Sequence, residues 1–511
     1  MAAVVIHGRV VTMELGASSE PFDGRVWIRD DAIDAVTRGA EHHEGFDDAV
    51  IVDVGDDLVL PGLIDMHNHL GYNTLPLWSE PGRVEPWLHN KHWPGADTYT
   101  ERVTEPAWTF AKAAPEALLA YVQLRLMVGG ATSAQGWPSA NRGYKSVVRN
   151  VDDEHAAAVV ADPFYTSVGT KTDGKLRDQI TKMRDGSGFI YHCAEGRRGS
   201  RVRNDYTELA DLNGLLPNLV GIHCCAVEQD DWRNWPATLA GGLVWSPLSN
   251  LVLYAETTLI ADARSRGLAI CLGSDWGPSG TKNLLAEMKV ARIASDLFGY
   301  HLTDADIVEM VTSNAGMLLE RTWRRPIGRL VTGGFADLIV VRRRGTGDIW
   351  SQIVAATERD IALVMVGGRG RYGDAKLMTA LGMTAQSFAM RIGGHSRRVA
   401  LADPADDSTP WSWKAIKGTL DQIQRDPPAA ISKANQRAGR GPRFAADAPL
   451  ELFLDMPDSR RAGRAGPPKH PELVRIEPIP SLVHDAAFFN RLAAQPIHGH
   501  RLDPLKDWWR T

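Results

Sequence analysis

The sequence predicts an α/β fold: a (β/α)8 TIM-type barrel, a small β-sandwich-like domain beside it formed from N-terminal and post-barrel segments, and a C-terminal extension. Two observations carry this expectation. Apolar runs alternate with helical stretches over about 260 residues, as a parallel sheet with crossover helices requires. A texture of short strands separated by turn residues stands on both sides of that region. With 511 residues, 44% of them hydrophobic, the chain can bury a large core and carry more than one unit.

Residues 3–54 read as short strands, VVIHGRVV, GRVWIRD and AVIVDVG, separated by turns containing Gly and Asp. From residue 58 the runs LVLPGLID, GGATSAQG, FIYHCAEG, LVGIHCCA, GLVWSPLS and LAICLGSD are apolar and end in polar residues, as buried parallel strands do. PEALLAYVQLRLMV and KNLLAEMKVARIASDLF return apolar residues at three and four positions and read as helices. The third and fourth strands have no clear run, and an open doubly wound sheet is the alternative arrangement. GRLVTGGFADLIVVRR and IALVMVGGRGRYGD restore the short-strand texture. The small β domain is therefore expected at 1–57 and 326–375, the barrel at 58–325, and a partly irregular extension at 376–511. Stretches 397–413 and 425–470 are rich in Pro, Ala, Gly, Asp and Arg, the composition of a poorly packed surface segment. The last forty residues regain aromatic content and read as a short helical piece.

Composition excludes several classes. A formal charge of −5 gives no footprint for nucleic acid or an anionic membrane. No stretch approaches the roughly 20 apolar residues of a membrane span, and MAAVVIHGRVV lacks the pattern of a secretory signal. Four cysteines, Cys193, Cys224, Cys225 and Cys271, are too few and too clustered for a disulfide framework. A cytoplasmic protein with a small-molecule substrate is expected, with a homodimer left open.

The chemistry concentrates at strand ends. In a strand His67 and His69 point to one face, which at the C-terminal end of a barrel strand is the mouth, where such barrels keep their sites. Two neutral imidazoles there suit one divalent cation. Alone, a His-x-His pair is weak evidence. His192 sits at the end of the run FIYHC, His223 ends LVGIH and Asp275 ends AICLGSD, where burial alone would favour apolar residues, Ser or Thr. With Glu195 three residues after His192, the set is specific.

VLPGLIDMHNHL, YHCAEG, GIHC, SPLSN and LGSDWGPSGTKNLLAEMKVA together resemble the metal-dependent amidohydrolase superfamily, on the branch of triazine hydrolases, guanine deaminase and S-adenosylhomocysteine deaminase. The resemblance covers residues 1–375. It implies that His67, His69, His192 and Asp275 ligate one divalent metal ion, zinc ahead of iron. It also implies that His223 orients water or substrate and that Glu195 shuttles a proton, with Asp275 accepting the proton of the water. Ser249 and Asn250 match the branch's Ser-Asn pair, and Asn283 lies in the matching loop. Three imidazoles and a carboxylate leave a divalent ion net positive, which lowers the pKa of a bound water towards about 7.

Many relatives hold a second metal through a lysine. Lys171 is the nearest candidate here, and a loop role is the better reading. Trp78, Trp87 and Trp93 lie in a long first loop that either covers the pocket or pins the loop to its rim. His89 and His92 read as loop residues rather than a second metal pair. Gln135, Asn250, Trp276 and Trp78 are the candidate substrate contacts. Cys193 is expected to face away from the mouth. The reaction expected is hydrolysis of a C–N bond other than a peptide bond, with deamination of an amidine-like or heterocyclic carbon leading. The alternatives are cyclic amide, carbamate or C–halogen hydrolysis at the same site and, behind them, a non-catalytic scaffold, which would be expected to have lost ligands.

Overall fold

The computed structural model describes residues 3–14, 20–152, 164–167, 173–236, 241–401, 411–438, 449–456, 471–498 and 501–509. The strands that position the site are parallel. Leu63–Asp65, Ala131–Ala134 and Arg149–Asn150 form one parallel set. Phe164–Ser167, Gly188–Cys193, Leu219–His223, Gly242–Trp245 and Ala269–Leu272 form a second, hydrogen-bonded in chain order. The first strand of one set meets the last of the other. Asp275 N donates to His67 O (2.9 Å) and His69 N to Asp275 O (2.9 Å), with a parallel bridge between Asn68 and Asp275. Strands Gly188–Cys193, Leu219–His223, Gly242–Trp245 and Ala269–Leu272 are buried along their whole length, which is why they read as continuous apolar runs rather than alternating ones.

The third and fourth strands, unplaced from sequence, are Arg149–Asn150 and Phe164–Ser167. The first is two polar residues long, so no apolar run marked it. Ile64, Met66, Ile190, Ile222, Val244 and Cys271 form a cluster with Leu318, Leu319 and Trp323 of the helix Ser313–Trp323. Helix Leu284–Phe298 starts at Asn283, whose side chain accepts from Ala286 N (3.2 Å) and satisfies one of the free amides at the helix start.

Beside this lies a nine-stranded sheet built from strands before and after the parallel ones, within residues 4–61 and 338–399. Val50–Pro61 runs parallel to Val4–Val10 and antiparallel to Leu338–Val341, so the N-terminal strands and those after residue 330 are neighbours. Two of its strands, Phe388–Ile392 and His395–Val399, come from beyond residue 375. They are five residues each and carry Arg391, Arg397 and Arg398, so neither stood out as a long apolar run.

The C-terminal residues also make helices. In Trp413–Arg425, Ile416, Leu420 and Ile423 bury one face, the three-and-four spacing of an amphipathic helix. The segment 471–498, with helix Ala486–Ala493, and the 3-10 segment Asp503–Trp509 dock back: Tyr121 donates to Pro480 O (2.5 Å) and Trp509 Nε1 to Glu358 Oε2 (2.7 Å). Among the described residues, no helix is long and apolar enough to cross a membrane. Lys171 lies outside the described residues.

Candidate metal centre

Five side chains scattered between His67 and Asp275 converge. The ring centroids of His67 lie 4.9 Å from His69, 4.7 Å from His192 and 5.1 Å from His223. Asp275 Oδ1 lies 3.2 Å from His67 Nε2 and 3.7 Å from His69 Nε2. Two triplets, His67–His192–His223 and His67–His69–Asp275, each bring their donor atoms within 4.8 Å of one another, all buried. Buried imidazole nitrogens and a carboxylate grouped at this spacing are the donor set of a divalent ion, and the residues fit one.

Backbone conformation makes this convergence. In the strand pair, His192 registers with Ile222 and Cys193 with His223. Registered neighbours on parallel strands share a face, so a regular strand would send His223 to the side of Cys193, away from His192. His223 instead adopts φ +65°, which turns its ring back to 5.8 Å from that of His192. Asp275 has φ +61°. Left-handed non-glycine residues cost of order 1 kcal/mol and gather at functional sites. Two glycines allow the close approach of chains here. A Cβ on Gly136 would fall 1.7 Å from Asn68 O, and one on Gly273 would fall 2.5 Å from His67 Cβ.

Hydrogen bonds behind the rings set their tautomers. His67 Nδ1 faces Gln135 Oε1 (3.2 Å), and His69 Nδ1 faces Asp455 Oδ2 (2.8 Å). Both are acceptors, so Nδ1 carries the proton and the Nε2 lone pair faces Asp275. His223 differs. Trp245 Nε1 donates to Thr257 Oγ1 (2.6 Å), and that hydroxyl therefore gives its own proton to Asn250 Oδ1 (3.4 Å). The Asn250 amide nitrogen then faces His223 Nδ1 (3.0 Å). His223 Nδ1 accepts, and its Nε2 presents an N–H.

The charges follow. Burial pushes the His223 pKa down to about 3 despite the Asp275 charge, so the ring is neutral. Burial would raise Asp275, but His67, His223 and His69 outweigh it and hold the carboxyl well below its usual range. Burial opposes charge on His69, yet Asp455 and Asp275 lift its pKa to about 9. Burial raises Glu195 to about 7, with Tyr254 pulling it down and Asp275 pushing it up. Tyr254 donates to Glu195 Oε1 (2.6 Å) and accepts from Trp93 Nε1 (2.9 Å), and Glu195 Oε1 stands 3.8 Å from His223 Nε2.

The cluster opens on a narrow cavity of about 40 Å³ lined by His69, Asn90, Lys91, Trp93, His192, Glu195, His223, Asp275, Trp276 and Met456. A larger hollow of about 580 Å³ near Glu116 and Trp411 contains none of these residues. Of the four expected substrate contacts, Trp276 lines the cavity, held by Ser279 Oγ at 2.5 Å from its Nε1. The other three do not. Gln135 stands behind His67, its amide taken by His67, Asn68 N and Asp152, and Asn250 stands behind His223. Trp78 stacks on Trp87 (6.1 Å, 15°) and donates to Thr98, which pins the loop instead. Ser249 bonds Ser279 (2.8 Å), and Cys193 is buried in the apolar core. His89 and His92 sit 6.0 Å apart, ring to ring, in the loop.

Sequence reasoning missed Tyr254, Asn90, Lys91, Asp455 and Met456. Tyr254 had a signal: it lies four residues after Asn250 on the helix Pro247–Tyr254, hence on the same face. Asp455 had none, sitting 386 residues from His69 in a stretch with no motif.

No protein-family model matches the chain. It is 25% identical over 422 residues to a 5-methylthioadenosine/S-adenosylhomocysteine deaminase of Desulfitobacterium hafniense, covering 74% of this chain and 95% of that one. Its fold is similar to that of an adenosine deaminase from Xanthomonas campestris with bound zinc (TM-score 0.59, 15% identity, 84% of this chain and 99% of that one). It is also similar to that of an atrazine chlorohydrolase from Arthrobacter aurescens complexed with zinc (TM-score 0.56, 16% identity, 72% and 94%). In sequence the chain is thus similar to 5-methylthioadenosine/S-adenosylhomocysteine deaminases, and in fold it is similar to zinc-bound adenosine deaminase and triazine-hydrolase structures.

Proposed function

We propose that the chain is a metal-dependent hydrolase of a C–N bond other than a peptide bond, and that it deaminates an amidine-like or heterocyclic carbon. The observation that carries this reading is Glu195, a buried carboxyl with a pKa near 7 beside a His/Asp cluster. Nitrogen leaving groups need a proton, and an acid poised near the working pH delivers one. The similarity to a nucleoside-type deaminase over most of both chains supports it. Eight parallel strands whose first and last are bonded to each other support a closed (β/α)8 barrel over 58–325. The small β domain expected at 1–57 and 326–375 then also takes in Phe388–Ile392 and His395–Val399, and the extension is the remainder of 376–511. Four cysteines that are all free and buried support a reducing, cytoplasmic setting.

In this reading His67, His69, His192 and Asp275 hold one divalent ion, zinc rather than iron. When bound, the ion supplies Lewis acidity that brings the pKa of a water down towards about 7. Asp275, kept ionised, takes the proton of the attacking water. His223 offers its Nε2–H to the oxygen that adds to the substrate carbon. Glu195 starts protonated and gives its proton to the nitrogen. One water is consumed, the C–N bond breaks, a C=O replaces it and ammonia leaves. Trp93 and Trp276, 5.4 Å apart, wall the cavity against further water.

Two outcomes test this. Zinc-loaded protein offered amino-substituted purines, pyrimidines, triazines and cyclic amides is expected to release ammonia from at least one amino-heterocycle. Release of a carboxylate or halide without ammonia would overturn the deaminase reading. Tyr254 donates to the ionised form of Glu195, so Tyr254→Phe raises the pKa of that acid. The alkaline limb of kcat against pH moves upward by about one unit, matching the loss of one hydrogen bond to a charged group of about 1.5 kcal/mol. An unmoved or lowered limb contradicts Glu195 as the acid.

A further inference from the structure

The C-terminal segment 449–456 reaches the cavity, where it supplies one lining residue, Met456, and a partner for His69, Asp455. Asn141 and Glu451 exchange bonds: Glu451 N donates to Asn141 Oδ1 (2.9 Å) and Asn141 N to Glu451 O (3.1 Å). Leu452–Phe453 pair antiparallel with Ser139–Ala140. Leu454 seats against Gly71, where a Cβ would fall 2.4 Å from its Cδ2, and Leu450, Leu452 and Leu454 are all buried. The segment is therefore anchored before it reaches Asp455 and Met456. Met456 lines the cavity, and Asp455 Oδ2 meets His69 Nδ1 at 2.8 Å.

That contact differs in kind from the one behind His67. Gln135 offers His67 a neutral amide oxygen at 3.2 Å, whereas His69 has a carboxylate at a shorter distance. A carboxylate at Nδ1 fixes the tautomer and the plane of the ring and makes Nε2 a better electron-pair donor. Asp455 is 41% exposed, so docking the segment does not require it to be paired. The three buried leucines and the bonds to Asn141 already do that work.

We propose that Asp455 is a positioning residue for His69, so that the metal site of this chain is completed by its C-terminal extension and not by the parallel-strand unit alone. The proposal rests on His69 being a ligand.

The test uses the full chain, with zinc affinity read by competition with a chromophoric chelator. The cobalt-substituted absorption spectrum and the melting temperature of the chelated protein complete it. Asp455→Asn is expected to bind zinc about 10–100-fold more weakly and to alter the cobalt bands. Its melting temperature without metal should match wild type, and Asp455→Glu should recover part of the affinity. Wild-type affinity and an unchanged cobalt spectrum in Asp455→Asn overturn the proposal. So does a loss shared equally by Asp455→Glu together with a lowered metal-free melting temperature, the signature of a structural role. A wild-type protein that takes up no zinc contradicts the ligand assignment itself, a separate result.

Discussion

Glu195→Gln lowers turnover by about 10²–10⁴-fold, the usual contribution of a positioned general acid, while zinc remains bound. The amide keeps the size of the side chain and can still accept from Tyr254, but it has no acidic proton for the departing nitrogen. The two readouts separate the roles: kcat from ammonia release falls, and metal content per chain does not. A substrate whose leaving group needs no proton loses less, since Glu195 then has less to contribute. Wild-type turnover in this variant would remove Glu195 from the mechanism. Loss of zinc would make it a ligand instead.

Asp275→Ala has an effect of at least similar size and a different signature. It removes the one carboxylate among the four proposed ligands and the group that takes the proton of the water. Loss of Lewis-acid stabilisation worth several kcal/mol corresponds to a fall of about 10³-fold or more in turnover. Metal retention should fail with it. Because a ligand that binds only the folded state adds stability, chelator lowers the melting temperature of wild type and leaves Asp275→Ala unchanged. A variant that keeps one zinc per chain and a chelator-sensitive melting temperature contradicts the ligand role of Asp275.

The parallel strands were legible where they were buried on both faces. FIYHC, LVGIH and LAICL are long enough to stand out, and the polar residue at or just past the end of each, His192, His223 and Asp275, marked the site. Where a strand is two residues long, as at Arg149–Asn150, no periodicity exists to read. The site was legible as a set of residue types, but its wiring was not. Strand alternation alone would have turned His223 the wrong way, and only the left-handed backbone at that residue brings it in. Tautomer assignment depended on Gln135, Asn250 and Asp455, three residues far apart in sequence. Two of these, Gln135 and Asn250, were expected to touch substrate, because a position at or after a strand end indicates the mouth but not which side of an imidazole a residue occupies. Asp455 belongs to a stretch whose composition indicates a loose surface segment, and composition carries no information about where such a segment docks.

The central claim is that His67, His69, His192 and Asp275 share one cation. Anomalous diffraction recorded above and below the zinc absorption edge tests it directly. The expected result is one strong peak about 2.0–2.2 Å from an imidazole nitrogen of each histidine and from an Asp275 oxygen, with His223 outside bonding distance. No peak among these residues in zinc-loaded crystals, or a peak bonded to His223 in place of His69, would contradict the account.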